Sequence, residues 1–454
     1  MPSRRVVLAV LTLTALLLAS PSPSLEAQGL RGKFSQLFVF GPGGLELFLP
    51  GSADPSNPAS VQVHGKHFIP SSVDANGSLI SFISNAISGA AANAPSSAAS
   101  SGTTFRFEGG VPVPTSVSSG PVFGERAPTL GRGRVFVGFN SSRAHFASIR
   151  GVDMHDIKFT FTHQNVTSAT SPGCDSIAGG DCRLMGVPKL ENDVMDFRMM
   201  LDVDVTVNAF TMTYGLTDRL DLSFELPLVT VDLSGSSYAQ MVPFGGPPAA
   251  HFFGGTPDKP ILDASQAVSG HATGMGDVAA RLKISVSHSA RSAFSLLVDA
   301  RFPTGNTEDL LGAGYFTARG LAIVSARFGA FTPHANVGYT ARGGPLRNDA
   351  VLATVGFDHL MAPWATLAAD LLTEFQIGAN KLRLPGVVTY DAPFKRTVLP
   401  TTMPDIRDDL INASFGFKFR TFGDLTAVTN AIVPLNRPGL RSNVLYTFGL
   451  EYGF

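Results

Sequence analysis

Val444-Leu445-Tyr446-Thr447-Phe448-Gly449-Leu450-Glu451-Tyr452-Gly453-Phe454 alternates without a break to the last residue of the chain. Val444, Tyr446, Phe448, Leu450, Tyr452 and Phe454 share one face, and Leu445, Thr447, Gly449, Glu451 and Gly453 share the other. Side chains of extended backbone point alternately to opposite faces, so this is a two-sided strand with one apolar, mostly aromatic side. Eleven residues is about the length a tilted strand needs to cross a bilayer, and aromatic residues gather where such strands meet lipid headgroups.

The start of the chain agrees with its end. Arg4 and Arg5 precede an apolar run from Val6 to Ala19, and Leu25-Glu26-Ala27 ends on a small residue before Gln28. This order is that of a cleaved export leader over residues 1–27. The run is short for a membrane helix, and no later segment reaches eighteen apolar residues. A helical membrane protein is disfavoured; an uncleaved anchor would want a charged stop-transfer flank that does not follow.

The chain has 454 residues, 15% of them charged, with 47 Gly, 34 Phe, one Trp and a net charge of −1. Globular chains carry about 25% charged residues. A lipid-facing exterior accounts for the deficit, because each Lys or Arg on the lipid face near the midplane costs about 2–4 kcal/mol. Without a basic cluster, nothing points to nucleic acid or an anionic surface as partner. The two cysteines, Cys174 and Cys182, flank a short Gly-containing loop. In an exported chain they read as a disulfide, since a two-thiol metal site would want two further ligands nearby.

Read back from Phe454, alternating segments fall at 441–454, 424–434, 409–421, 364–377, 349–361, 331–342, 315–328, 292–302, 275–287, 219–233, 194–213, 154–163, 133–147 and 103–109. Fourteen is even, as single-chain bacterial barrels require. Short gaps (Phe422-Gly423-Asp424, Ala362-Pro363, Gly329-Ala330, 288–291, 215–218) take turns with longer ones at 378–408, 303–314, 234–274 and 164–193. Outer-membrane barrels have short periplasmic turns and long extracellular loops. The expected fold is therefore an all-β transmembrane antiparallel barrel of about 14 strands over residues 103–454, preceded by a plug-like segment.

Parity then assigns faces. In 409–421, Ile411, Ala413, Phe415, Phe417 and Phe419 face lipid, leaving Asn412, Ser414, Gly416, Lys418 and Arg420 to the lumen. In 194–213, Phe197, Leu201, Val203, Val205 and Val207 are assigned to lipid, and Asp196, Arg198, Asp202, Asp204, Thr206 and Asn208 to the lumen. Asp221, Glu225, Asp277, Arg281, Lys283, Asp299, Arg301, Asp370 and Glu374 add further lumen charge of both signs. Such groups can line a passage or simply pair with one another.

Residues 28–102 read differently. Leu79, Ile80, Phe82, Ile83, Ala86 and Ile87 are spaced for one helical face, with Asp74 or Asn76 as a cap, in a Gly/Ser/Pro/Ala-rich setting. A plug inside the lumen is favoured over a periplasmic tail or a linker, because so wide a barrel holds room that side chains alone do not fill.

The final strand with its terminal aromatic resembles the C-terminal signature by which bacterial outer-membrane barrels are recognised by the insertion machinery, with Tyr446, Phe448, Tyr452 and Phe454 as the signal. Thr213-Tyr214-Gly215-Leu216-Thr217-Asp218-Arg219-Leu220-Asp221-Leu222 and Gly274-Met275-Gly276-Asp277-Val278-Ala279-Ala280-Arg281-Leu282-Lys283 resemble turn and strand-start motifs of the outer-membrane transporter family labelled "MetA-pathway of phenol degradation". Phe302-Pro303-Thr304-Gly305-Asn306 and Asn336-Val337-Gly338-Tyr339 continue the same order. Architecturally that family is similar to the FadL-type transporters, which combine fourteen strands with an N-terminal hatch. Asn57-Pro58-Ala59 matches a short hatch motif of those proteins. The resemblance implies passive uptake of small hydrophobic or aromatic compounds.

Catalytic chemistry finds little support. None of the ten histidines lies in a Gly-x-Ser-x-Gly or His-Glu-x-x-His context. His145, His155 and His163 lie near ends of early strands but lack a carboxylate partner fixed by sequence. Gly274-Met275-Gly276-Asp277 precedes no helix and cradles no phosphate. No cofactor is expected; the expected partners are outer-membrane lipid, the insertion machinery and a small hydrophobic cargo. Phe244, Pro247, Pro248, Phe252, Phe253, Val387, Val388, Tyr390 and Phe394 give the loops an apolar character suited to an outer vestibule. The rivals are a structural or surface-exposed barrel without transport, and a polar-solute porin.

Overall fold

The computed structural model describes residues 29–40, 83, 86–87, 105–108, 111–114, 123–162, 194–243, 252–256, 258–344, 347–382, 384, 387–390, 395–421 and 425–454. One antiparallel sheet dominates. Its long strands are β1 (Val135–Ile149), β2 (Ile157–Thr162), β3 (Val194–Thr217), β4 (Leu220–Val242), β5 (Asp263–Met275), β6 (Ala279–His288) and β7 (Ser292–Arg301). They continue as β8 (Thr317–Ala326), β9 (Phe331–Arg342), β10 (Ala350–Ala362), β11 (Ala365–Gln376), β12 (Leu410–Arg420), β13 (Leu425–Pro434) and β14 (Leu440–Gly453).

Twelve of these close a ring in the order β4, β6 to β14, β1, β3 and back to β4. At the seam Val135 and Phe454 exchange backbone hydrogen bonds of 2.8 and 2.9 Å, so the first and last wall strands zip together. Closure leaves the wall no free edge, the one sheet arrangement a bilayer tolerates. Tight turns at Asp218-Arg219 and between Ala362 and Ala365 share the end of the barrel where Phe454 lies, and the longer connections share the other. The connection at 422–424 lies outside the described residues.

The strand inventory is close to expectation, with one exchange. Segment 103–109 holds no wall strand; Phe105–Glu108 pairs only with Val111–Pro114 in a separate hairpin. In its place stands β5, inside the stretch 234–274 expected to be loop, while β4 itself continues to Val242. β5 is rich in Ala, Ser and Gly, residues with little strand preference, which hides it from a propensity reading.

β3 and β4 run well past the ring. Beyond it β2 pairs with β3 over Ile157–Thr162 and β5 with β4 over Asp263–Met275, making a four-stranded flange, β2-β3-β4-β5, at the long-loop end. Between β5 and β6, Gly276, Asp277 and Val278 oppose only two residues of β4, a bulge that bends one long strand from flange into wall.

The flange corrects the face assignment. In the wall part of the hairpin, Phe210, Met212, Tyr214, Phe224, Leu226 and Leu228 point outward and exposed, while Thr211, Thr213, Asp221, Ser223 and Glu225 are buried inward. Parity continues up the strands, but the media change. In the flange Phe197, Leu201, Val203, Val205, Val207, Val229, Val231 and Leu233 are buried inward, and Asp196, Arg198 and Asp202 stand on the outer, water-facing side. Asp204, Thr206 and Asn208 share that outward parity. Above the lipid band the outer surface meets water, so polar residues move out and apolar ones move in.

The helix α1 (Leu30–Gln36) covers the inner face of the flange. Leu30, Phe34, Leu37 and Phe38 fall on one helical side and are buried in the same cluster as Val203, Val231 and Leu233. Seven residues are too few for a helix stable alone; burying its apolar side, at about 1.5–3 kcal/mol per large side chain, holds it. Gly270 of β5 permits the approach, since a Cβ there would lie 2.5 Å from Leu30 Cδ2. Ile83, Ala86 and Ile87 are helical as expected, with Ile83 and Ile87 in this cluster.

Candidate functional site

The inner wall is polar because its inward positions are. Outward neighbours such as Val298, Val355, Leu371, Phe415 and Phe448 are exposed and form the apolar lipid band. Inward, charges pair across adjacent strands. Arg281 donates to Glu225 and to Asp299, each at 2.5 Å. Arg301 approaches Glu225 at 3.5 Å, and Arg319 lies 3.2 Å from Asp299. Farther round, Lys418 meets Glu451 at 2.8 Å, Arg342 meets Glu374 at 2.8 Å, and His334 Nε2 lies 2.7 Å from Asp370 Oδ1.

A segment that is not part of the wall runs through this space. Gly124 N donates to Asp370 of β11 at 3.4 Å, and Glu125 lies 3.4 Å from Lys283 of β6. Arg126 Nε donates to Asp358 Oδ1 of β10 at 2.9 Å in a two-pronged ion pair. Ala127 is held between Ser295 of β7 and Ser325 of β8. Leu130 N donates to Asp221 of β4 at 2.9 Å, and Arg132 N to Asp218 at 3.1 Å. Contacts with six strands and a turn around one ring are possible only from inside it. Gly124 fits because it lacks a side chain: a Cβ would lie 2.2 Å from His334 Nε2. Gly356 makes room for the same dyad from the wall, 2.1 Å from Asp370 Oδ1 by the same measure.

At the long-loop end the interior turns apolar. Phe38 stacks on Phe197 with ring centroids 4.5 Å apart, and Phe159 and Phe161 pack against the same ring. Phe40 meets Phe253 edge-on at 5.6 Å. Arg150, fully buried, clamps this mouth by bonding both oxygens of Asp408, at 2.8 and 2.9 Å, and Asn380 at 3.0 Å.

Of the residues singled out in sequence, Glu225, Arg281, Asp299 and Arg301 form one cluster, while Asp221 and Lys283 hold the threaded segment. Asp370, Glu374 and Lys418 each pair with an inward neighbour, and Asn412 accepts from Arg441 at 2.9 Å. Arg420 keeps the inward parity of Lys418. Asp277 instead anchors loop 303–313, accepting from Gly305 N at 3.0 Å and Ala313 N at 2.8 Å. Tyr446, Phe448, Tyr452 and Phe454 are exposed on the outer face. Cys174, Cys182, Asn57, Pro58, Ala59, His163, Phe244, Pro247, Pro248 and Phe394 lie outside the described residues. His145 and His155 do have carboxylate partners, Asp204 at 3.3 Å and Asp202 at 2.8 Å, but on the outer face of the flange. Among the described residues no His/Cys/Asp/Glu group is arranged to hold a metal.

Sequence reading missed Glu125, Arg126, His334, Asp358 and Glu451. Asp358 carried a signal, a lone carboxylate at an inward position of β10, and Glu451 another, the lone charge of the alternating run from Val444 to Phe454. Glu125 and Arg126 carried none, since extended chain without periodicity resembles a loop.

A closed, even-stranded antiparallel barrel with an apolar outer band and a charged interior defines an outer-membrane β-barrel protein. Within that class, residues 191–390 match the family described as "MetA-pathway of phenol degradation". The resemblance seen in the motifs from Thr213 to Tyr339 holds over that segment. Similar solved structures include an outer membrane channel from Pseudomonas putida F1, at 11% identity and a TM-score of 0.39, covering 72% of this chain and 98% of that one. Others are the P. putida toluene transporter TodX (9%, 0.31, 79% and 98%) and a Pseudomonas aeruginosa FadL homologue (10%, 0.30, 71% and 90%). These superpositions are loose, and the barrel assignment rests on this chain's own strand pairing. No curated protein matches the chain in sequence.

Proposed function

We propose that the protein is an outer-membrane channel for passive uptake of small hydrophobic or aromatic compounds, with Phe123 to Leu130 as the element that closes its lumen. The observation that carries this reading is the bonding of that one segment to six of the twelve ring strands, β4, β6, β7, β8, β10 and β11. A barrel whose interior is crossed by a bonded segment and most of whose inward charges are paired suits a gated passage better than a steady aqueous pore. The aromatic interior at the long-loop end favours apolar solutes, which gain about 25 cal/mol per Å² of apolar surface removed from water. The solute gradient is the driving force.

Planar-bilayer conductance and toluene entry test this. The expected outcome is low steady conductance, with toluene uptake that falls when the gene is deleted. Large steady conductance would support a polar-solute porin, and unchanged toluene entry would support a purely structural barrel. Removal of a leader at residues 1–27, an N-terminal plug region at 28–102 and a disulfide between Cys174 and Cys182 belong to the same proposal. Mass spectrometry of the mature, non-reduced protein checks the leader and the disulfide.

A further inference from the structure

At the long-loop end of the lumen, four arginines gather around a single carboxylate. Arg342 Nη2 bonds Glu374 Oε2 at 2.8 Å, and Arg319 and Arg347 stand within electrostatic reach of the same carboxylate. Arg441 of β14 also interacts electrostatically with Glu374, and with Asp408. The nearby acids do not redress the balance. Asp408 is bound at both oxygens by Arg150, and Asp299 is shared between Arg281 and Arg319.

The Nε groups of Arg319, Arg342 and Arg441 are buried and have no hydrogen-bond partner among the described residues, three donors against one unmatched carboxylate oxygen, Glu374 Oε1. The Arg342 side chain is 5% exposed and Arg441 7%. A buried guanidinium donor left unmatched costs free energy, so such donors ordinarily face an acceptor. Wall strands elsewhere in this barrel match their arginines to carboxylates, as Arg281 does with Glu225 and Asp299. Tyr315 stands beside Arg347 and places an aromatic ring at the same cluster.

We infer that this cluster is an anion-binding site for the carboxylate of a small aromatic acid, with the planar guanidinium groups of Arg342, Arg347 and Arg441 as donors and Glu374 as an internal competitor. Arg342 and Arg441 would each offer the Nε, because the Nη groups of Arg342 bond Asn348 O and Glu374 and those of Arg441 bond Asn412 and Asn436. A charge-assisted bond from Nε to the carboxylate leaves an apolar body to continue toward the aromatic interior at the mouth. The inference rests on the reading that the lumen carries small aromatic compounds; it narrows that class to those bearing an acid.

Equilibrium dialysis of labelled benzoate against the full-length protein in detergent micelles tests the site apart from transport. Saturable binding is expected, weakened about tenfold or more by Arg342→Gln or Arg347→Gln, since a charge-assisted hydrogen bond is lost. Glu374→Gln should tighten binding by removing the competing carboxylate. Arg198→Gln, on the outer face of the flange, should leave it unchanged. Absence of saturable benzoate binding, or glutamine variants that bind as tightly as the unaltered protein, would overturn the site. If Arg342→Gln fails to fold, judged by loss of the heat-modifiable band on gels, Arg347→Gln in its loop decides. Toluene entry, measured separately on the unaltered protein, tests the channel itself, so the two failures are distinguishable.

Discussion

Arg126, on a segment outside the barrel wall, forms a two-pronged ion pair with Asp358 of β10, and the Asp358 side chain is entirely buried. The pair joins lumen contents to wall, so its removal separates closure from folding of the wall. Breaking a buried pair from one side strands the other charge, at about 3–5 kcal/mol. Arg126→Ala should therefore loosen the threaded segment and raise single-channel conductance while the wall stays folded. Arg126→Met with Asp358→Leu should be milder in stability than either single change. Conductance equal to that of the unaltered protein in Arg126→Ala would show that the segment does not close the lumen.

The lipid face has its own test. Phe415 points outward from β12 and Ser414 inward. Phe415→Arg should cost about 2–4 kcal/mol near the bilayer midplane. Refolding titrations into lipid vesicles measure this, and a cost below 0.5 kcal/mol would place Phe415 outside the hydrocarbon region.

The flange predicts the opposite sensitivity, apolar residues inside and polar ones outside. Phe34→Ala removes a buried ring under the flange and should cost the outer cluster about 3–5 kcal/mol. Asp202→Ala, on the water side, should stay within about 0.5 kcal/mol. Limited proteolysis near α1 should speed up for the first variant and not the second.

His155 bonds Asp202 at 2.8 Å on the outer face of the flange, and that hydrogen bond raises the imidazole above its ordinary value. A raised histidine lends its contribution fully below the unfolded value of about 6.5 and loses it as pH climbs through the folded value. NMR titration of the His155 ring should show the elevated midpoint, and Asp202→Asn should return it toward normal. A midpoint unmoved by that change would mean the bond is not formed in solution.

Much of the wall was legible because strand alternation is local. Thirteen of the fourteen expected segments are strands of the main sheet, and Lys418 with Ser414 face inward as parity requires. β5 was hidden by its small residues, whose use appears only once α1 packs over Gly270. Glu225, Arg281 and Asp299 were legible as inward charges, but their mutual pairing depends on cross-strand register, which no single strand encodes.

By itself the sequence determined which side chains share a face, since parity follows from extended backbone alone. What those faces meet was decided only by the tertiary structure. Along β4 the outward row passes from Phe224 and Leu228 to Asp232 with no break in alternation. The surroundings change there from lipid to water, and with them the meaning of an apolar residue. The path of Glu125 and Arg126 through the lumen was likewise a tertiary matter, because their partners lie on strands more than a hundred residues away.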